Sequence, residues 1–367
     1  MKKIALVFLG NHTHDARCMN MINSLTNQNH IVSIYSTATS KHMSSDNQKF
    51  HEYSIRYSLI PYIKYILWIL RVYNVIRTQP YDVIIAADLY SLIPACLLSK
   101  KTQIVYDSRE IYTKLSVHLN RPIINKIITI AERACIKRVN KIIVTAKSDQ
   151  KYLQKIYNTS SVSFCIIYNF PSLSLIYEQS SFLRDRFNIP KNTTILLYQG
   201  VIQKNRGILQ LIKIIENTAQ TVGVIVGDGS YAGFLKKYIQ INNLESRVFM
   251  LSAVPYYKLL EITASADIGV SLVRPAGLSN LYALPNKLFE YALARIPTLA
   301  SDLPNIKKYI DTYHLGWCVD DRSLDKQIAL IKNYQSSGFS AQPFNKYKTL
   351  FSWESQEKAF NNFICYE

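Results

Sequence analysis

Short apolar runs alternate with stretches of helical periodicity along the whole chain. The runs at 4–9, 31–35, 83–87, 103–106 and 141–145 are continuous enough to be strands covered on both faces. Between them, apolar residues recur every three or four positions over about 15–27, 60–78, 121–139 and 147–157, which predicts amphipathic helices. The theme then repeats. Strand-like runs at 194–198, 222–226, 247–251, 267–272 and 298–300 alternate with helical patterns near 207–217, 230–242, 256–264, 286–294 and 304–310. Such alternation predicts an α/β protein, and its repetition predicts two doubly wound, Rossmann-like domains. The boundary is expected at Asn169-Phe170-Pro171-Ser172, after strand-like Phe164-Cys165-Ile166-Ile167, with the polar segment 172–193 as linker and lead-in. The expected domains are therefore 1–170 and 171–352, with a last helix at about 353–365.

The length of 367 residues suits this division, since each half can bury its own core. The apolar run after Met1-Lys2-Lys3 spans only Ile4–Leu9 and ends at Gly10 without a small-residue cleavage site, so it reads as a first buried strand and not as a secretory signal. The cysteines, at 18, 96, 135, 165, 318 and 365, form no C-x-x-C pair, and the histidines form no H-E-x-x-H pattern. Free thiols in a reducing cytoplasm are expected, with no disulfide framework and no metal.

Charge changes the picture more. The net charge is +18, and residues 1–170 carry 22 Lys and Arg against 9 Asp and Glu. A basic half invites nucleic acid, anionic lipid or a phosphorylated acceptor. No helix-turn-helix, RNA-binding aromatic motif or zinc pattern is present, so nucleic acid is not expected as a partner. An anionic membrane surface carrying a lipid-linked acceptor fits better. The stretch from Leu59 to Tyr73 is too interrupted by charge to span a bilayer. Two readings stay open for it. It can lie in the interface, with Trp68 and tyrosines at headgroup depth and Lys64, Arg71 and Arg77 toward lipid phosphate. Alternatively it packs on the first sheet with Lys64 and Arg71 on its wet side.

The densest chemistry lies in Leu284-Pro285-Asn286-Lys287-Leu288-Phe289-Glu290-Tyr291, followed by Ala294-Arg295-Ile296-Pro297-Thr298-Leu299-Ala300-Ser301-Asp302. Pro285 suits the first turn of a helix, where its missing N–H costs nothing. Pro297 stops that helix, and a strand follows. Asn286, Lys287 and Glu290 then share one helix start. A helix N-terminus favours phosphate, Lys287 adds positive charge, and Glu290 can accept two sugar hydroxyls. That combination suits a nucleotide-sugar.

This segment resembles the donor-binding segment of retaining glycosyltransferases of family 4, which have the GT-B fold. The resemblance covers nearly the whole chain. Asp15-Ala16-Arg17 with Asn29–Val32, then Asp82–Tyr90, Val105–Glu110 and Tyr168–Pro171, are similar to landmarks of the family's N-terminal domain. Tyr198-Gln199-Gly200 with Arg206-Gly207, then Val226–Gly229 and Ala266–Val270, follow in family order. The resemblance implies two Rossmann-like domains facing a central cleft, with the last helix returning to the N-terminal domain. It implies a metal-independent, retaining transfer of a sugar from a UDP- or GDP-sugar, without a cofactor. The implied acceptor is a polysaccharide or lipid-linked glycan of the capsule or lipopolysaccharide type. The implied location is the cytoplasm, with peripheral contact at the inner face of the plasma membrane.

The candidate residues follow. Lys204 and Arg206 stand where the family's basic pair grips the diphosphate, although Val201 replaces the usual Arg after the strand glycine. Glu290 matches the second acid of the E-x7-E motif, which binds the ribose, whereas Tyr282 replaces the first. Gly227-Asp228-Gly229 gives a tight turn where backbone can approach the nucleotide. Asn286, Lys287 and, from the first half, Gly10 and Asn11 complete the expected donor set. Arg206, Lys287, Asp88 and Arg109 are the catalytic candidates. Asp15, Asp88, Asp107, Arg109 and Glu110 are candidates for the acceptor side. Arg109 stands where the family often has His; arginine stays protonated, so it is assigned to phosphate or carboxylate binding, not to base catalysis. His12 and His14 are further candidates for proton work. The family's same-face mechanism, in which the departing phosphate oxygen takes the acceptor proton, requires no protein base. Two other classes stay open: a UDP-sugar 2-epimerase of the same fold, and a non-catalytic partner subunit, the latter motivated by Tyr282 and Val201. The oligomeric state is not legible.

Overall fold

The computed structural model describes residues 1–37, 50–55, 63–98, 101–114, 121–175, 179–320, 322–339 and 344–366. Positions 59–62 of the apolar stretch, 176–178 of the expected linker and 367 of the terminal segment lie outside the described residues. The chain divides into two compact units, Met1–Asn169 with Gln356–Glu367, and Phe170–Ser355.

The first unit is built on seven parallel strands: β1 (Lys3–Val7), β2 (Ile31–Ser36), β3 (Phe50–Ser54), β4 (Val83–Ala86), β5 (Gln103–Ser108), β6 (Lys141–Val144) and β7 (Ser163–Ile166). Their order is β3-β2-β1-β4-β5-β6-β7, all parallel. The helices α1 (Ala16–Asn27), α2 (Ile63–Ile76), α3 (Leu89–Cys96), α4 (Pro122–Ile136) and α5 (Lys147–Ile156) cross between them. α2 to α5 share one apolar cluster with β1, β4, β5 and β6. Trp68 belongs to that cluster, is fully buried, and donates to Ser91 Oγ at 3.3 Å. It therefore cannot reach lipid headgroups, which corrects the interfacial reading of that residue: Trp68, Val72 and Ile76 recur at helical spacing and form the inner face of α2.

The second unit repeats the plan with β8 (Thr194–Gln199), β9 (Thr221–Val226), β10 (Val248–Leu251), β11 (Ile268–Ser271), β12 (Thr298–Ser301) and β13 (Gly316–Val319), in the order β10-β9-β8-β11-β12-β13. Its helices are α6 (Phe182–Phe187), α7 (Ile208–Glu216), α8 (Ala232–Ile241), α9 (Tyr256–Ala264), α10 (Leu278–Leu281), α11 (Asn286–Leu293), α12 (Pro304–Tyr313), α13 (Leu324–Ser337) and α14 (Phe344–Leu350). The last helix, α15 (Glu354–Cys365), packs with the first unit from Gln356 onward. There Ser24 donates to Glu357 at 2.6 Å, and Lys141 Nζ reaches the carbonyl of Phe363 at 2.7 Å.

Several elements were not expected. β3 and β13 are edge strands whose residues are mostly half-exposed, so neither carries a long apolar run. α3 is apolar nearly all round and contains Pro94, which hides its period. The segment 172–193 is not all linker, since α6 lies within it, closed by Asn188 in a left-handed conformation at φ 52°. Pro285 sits one residue before α11, as its extended cap, and not in the first turn. No described helix is long and apolar enough to cross a membrane.

Candidate functional site

In doubly wound sheets, ligands bind beyond the strand carboxyl ends where strand order reverses. In the second unit that point lies between β8 and β11. The loops leaving β8 and β9 are laced together there. Gly200 N donates to Val226 O at 2.9 Å, and Ile202 N to Asp228 O at 2.9 Å. Gly227 holds φ +146°, and a methyl placed on it would lie 2.0 Å from the Gly200 carbonyl oxygen. Gly227→Ala is accordingly expected to cost about 2 kcal/mol or more from its backbone conformation and the clash. The midpoint of urea unfolding would register this, and an unchanged midpoint would contradict the lacing. Gly207 is under a similar constraint at φ +78°, with the Leu272 carbonyl 2.0 Å from a methyl at that position. It opens α7 directly after Arg206.

α11 supplies the side chains. Leu288, Phe289, Tyr291 and Ala292 are buried beneath it. The Tyr291 ring lies on Gly269 of β11, where a methyl would be 2.2 Å away, and its hydroxyl donates to Leu197 O at 3.1 Å. This close seat fixes the helix over β8 and β11. Lys287 thereby places its ammonium 3.8 Å from the centroid of the Tyr198 ring. Burial and the nearby Arg206 charge pull the Lys287 pKa down to about 7, against the pull of Glu290 in the other direction. Tyr198 also donates to Val201 O at 2.8 Å, shaping the loop toward Arg206.

Glu290 is buried. Its carboxylate accepts from Gln199 Nε2, and Gln199 Oε1 accepts from Thr263 Oγ1 at 2.8 Å. Burial raises the Glu290 pKa, while Gln199, Tyr256 and Lys287 oppose the rise. The structure thus brings together Arg206, Lys287 and Glu290 around Tyr198 and Gly200, with Asn286 at the helix start. Two cations, one of them over the Tyr198 ring, beside the Gly200 turn, can hold a diphosphate. A buried carboxyl beside them can accept hydroxyls.

Other expected donor residues stand differently. Lys204 is exposed in the loop before α7. Asp228 is exposed, and its carboxylate accepts from Ala253 N at 3.1 Å, tying the β9 loop to the chain beyond β10. Tyr282 ends α10, is 38% exposed, and its carbonyl accepts from Asn305 at 2.6 Å.

In the first unit, Gly10 and Asn11 follow β1. The Gly10 carbonyl accepts from Thr37 N at 3.0 Å, and Asn11 caps a short helical turn over His12–His14. His12 is buried against Ser36, at 2.8 Å, and burial lowers its pKa to about 4 despite Asp15 nearby. It is therefore neutral near pH 7. His14 is exposed. Asp88 and Arg109 are held by bonds within the first unit. Both oxygens of Asp88 are engaged: it caps α3 through Ser91 N at 2.8 Å and Ser91 Oγ at 2.7 Å, and takes the Leu9 N–H at 2.8 Å. Burial raises its pKa against those bonds. Each nitrogen of Arg109 already donates, to Asp107 at 2.8 Å, to Asp15 at 2.8 Å and to Cys18 Sγ at 3.2 Å, and the guanidinium lies over Phe8. Asp107 is fully buried and takes a forked pair of bonds from Arg17 as well, at 2.7 and 3.0 Å. Burial pushes its pKa up, but Arg17 and Arg109 outweigh that and hold it below the usual range. Glu110 is exposed beside this network.

Thr263 escapes a reading of the sequence, and Tyr198 and Gln199 are read there only as landmarks of family order, without a role in the site; the ion-pairing role of Arg17 escapes it too. The available signals were a glutamine closing an apolar strand and an arginine on the buried side of α1.

Residues 16–174 match the model of glycosyltransferase family 4, and residues 179–349 match that of the glycosyl transferases group 1. The chain belongs to this glycosyltransferase family. Its two sheets are those of a GT-B glycosyltransferase. Sucrose-phosphate synthase (tll1590) from Thermosynechococcus elongatus shares the fold at 14% identity, with a TM-score of 0.77 over 99% of this chain and 98% of that one. Anabaena Alr3699/HepE in complex with UDP-glucose does so at 15% identity and 0.73, over 99% of both. WaaG, a glycosyltransferase involved in lipopolysaccharide biosynthesis, does so at 14% identity and 0.67, over 98% and 95%. At such identities the likeness is one of fold. No curated protein matches the chain in sequence.

Proposed function

We propose that this glycosyltransferase takes its sugar from a UDP- or GDP-sugar, with retention and without a metal, and delivers it to a glycan or lipid-linked acceptor in cell-surface glycan assembly. The observation that carries the donor reading is the cluster on α11, where the ammonium of Lys287 and the buried carboxyl of Glu290 meet the Arg206 loop at the β8–β11 switch point. Arg206 and Lys287 would face the diphosphate and stabilise it as it leaves. Glu290, held by Gln199, would clasp the ribose hydroxyls. UDP and UDP-glucose bound in the Anabaena relative support a nucleotide-sugar as donor. The acceptor class rests on the basic first half and on the family.

A thermal-shift panel of UDP- and GDP-sugars tests this reading, because a ligand that binds only the folded protein raises its melting temperature. Glu290→Ala and Arg206→Ala are each expected to abolish the shift while leaving the unliganded protein folded. A shift that survives both changes would put the donor elsewhere.

A further inference from the structure

α3 ends at Cys96, and α4 carries Cys135 one residue before its own end. Both cysteines belong to the apolar cluster of the first unit, where the two helices meet. That packing sets Cys96 Sγ 3.6 Å from the carbonyl oxygen of Cys135. The two thiols also hydrogen-bond to each other, with Cys96 donating and Cys135 accepting. The other four cysteines stand on four separate elements, α1, β7, β13 and α15. A buried cysteine commonly serves as a small apolar side chain, but apolar filling does not require two sulfurs in contact.

The pair lies close beneath the surface. Cys96 is 6% exposed and Cys135 7%, while Leu97, Ala134 and Lys137 beside them are open to solvent. Arg138 donates to Leu98 O at 3.0 Å, which keeps its guanidinium near both sulfurs. The bond from Cys96 pulls the Cys135 pKa below its ordinary value against burial and Glu132, with Arg138 adding to the pull. The same bond and burial push Cys96 up. One sulfur is thus prepared as a nucleophile, and the other keeps its proton. We propose that Cys96 and Cys135 form a redox-active dithiol, which a hydroperoxide closes to a disulfide that braces α3 against α4. The Cys135 thiolate attacks one oxygen of hydrogen peroxide: an S–O bond forms, the O–O bond breaks, and the departing hydroxide takes up the proton that Cys135 gave to water. The Cys96 sulfur then attacks the Cys135 sulfur: the S–S bond forms, the S–O bond breaks, and the hydroxyl leaves as water with the Cys96 proton. The thiols are oxidised by two electrons, and the peroxide is reduced to two waters. The structure holds the reduced state, with both thiols free. The disulfide closes a loop over residues 96–135 that contains β5 and the Asp107–Arg109 pair. The proposal does not rest on the donor-site reading, and its test uses no nucleotide-sugar.

The test is treatment of the reduced full chain with hydrogen peroxide, then alkylation of the remaining thiols and peptide mapping without reductant. A linked pair of peptides carrying Cys96 and Cys135 is expected, with the other four cysteines alkylated, and dithiothreitol is expected to restore both thiols. The linked protein is expected to melt about 5 °C or more above the reduced one, because the bond constrains the unfolded chain. The order of attack separates the two positions. Cys96→Ala is expected to leave Cys135 as a sulfenic acid that dimedone captures, whereas Cys135→Ala is expected to leave Cys96 unlabelled. Should an alanine variant unfold, Cys96→Ser and Cys135→Ser give the same reading. Peroxide oxidation of Cys18 or Cys365 ahead of this pair overturns the proposal, as does a Cys135 sulfinic acid without linked peptides. A linked chain that melts no higher than the reduced one overturns it too.

Discussion

Lys287→Ala is expected to lower kcat/KM for the donor by about 10²–10³-fold, the range for removing one group that stabilises developing charge. The ammonium sits over the Tyr198 ring at 3.8 Å, beside Gly200, where burial and, after it, the charge of Arg206 push its pKa down to about 7. A depressed lysine there has a consequence of definite sign. Unfolded, it keeps its proton to about 10.5; folded and unliganded, only below about 7. Over that window the unfolded chain binds more protons, so the free protein gains stability from this group as pH rises. A bound diphosphate favours the charged form and reverses the depression. Donor-induced stabilisation should therefore shrink as pH climbs above 7, and Lys287→Arg, which stays charged, should flatten that dependence. A donor shift that is the same at pH 6.5 and 9 in the wild-type protein would remove Lys287 from the phosphate site.

The sheets and most crossing helices were legible because buried parallel strands must be continuously apolar and their helices must keep a 3.6-residue period. Phe289 and Glu290 show the same logic at the site: one helix start carries both its core anchor and its chemistry, so the motif and the packing coincide. β3 and β13 were not legible because Phe50-His51-Glu52-Tyr53-Ser54 is half polar and Gly316-Trp317-Cys318-Val319 is only four residues long, whereas the other edge strands, β7 and β10, still carry apolar runs. The role of Gln199 is the instructive omission, since the sequence shows it only as a family landmark. It ends an apolar strand, and only the three-dimensional meeting of β8, α9 and α11 shows its amide bridging Thr263 and Glu290. Asp88 and Arg109 show the converse. Both are polar residues at strand ends, where ligands bind in this fold, yet both already bond within the unit, Arg109 through three of its five N–H groups. Residue type and position identify the edge of a sheet but not which of its polar groups are still open.

The network around Asp107 carries the largest expected effect on stability. Asp107→Asn is expected to destabilise the protein by about 3–5 kcal/mol, the range for breaking a buried ion pair by removing one partner. Arg17 is 3% exposed; beyond Asp107 its guanidinium bonds Ile167 O at 2.6 Å and Asn169 Oδ1 at 2.9 Å, and an asparagine would offer it one neutral oxygen in place of the carboxylate. With that oxygen turned to Arg17, the amide NH2 faces Arg109 Nε, which loses its acceptor. One carboxylate on β5 thus holds α1, through Arg17, and the end of the first unit, through the bonds from Arg17 to residues 167 and 169. For a unit of this size the loss should lower the melting temperature by on the order of 10 °C. The pH dependence has the matching sign. Because Asp107 is held below its ordinary value of 3.8, its contribution is present above that value and is lost as pH falls through the lowered one. Asp107→Asn should therefore flatten the acid limb of the stability profile relative to wild type, beyond lowering it near neutrality. A variant as stable as wild type at pH 7 would show that the two arginines find other partners and that this carboxylate does not hold the first unit together.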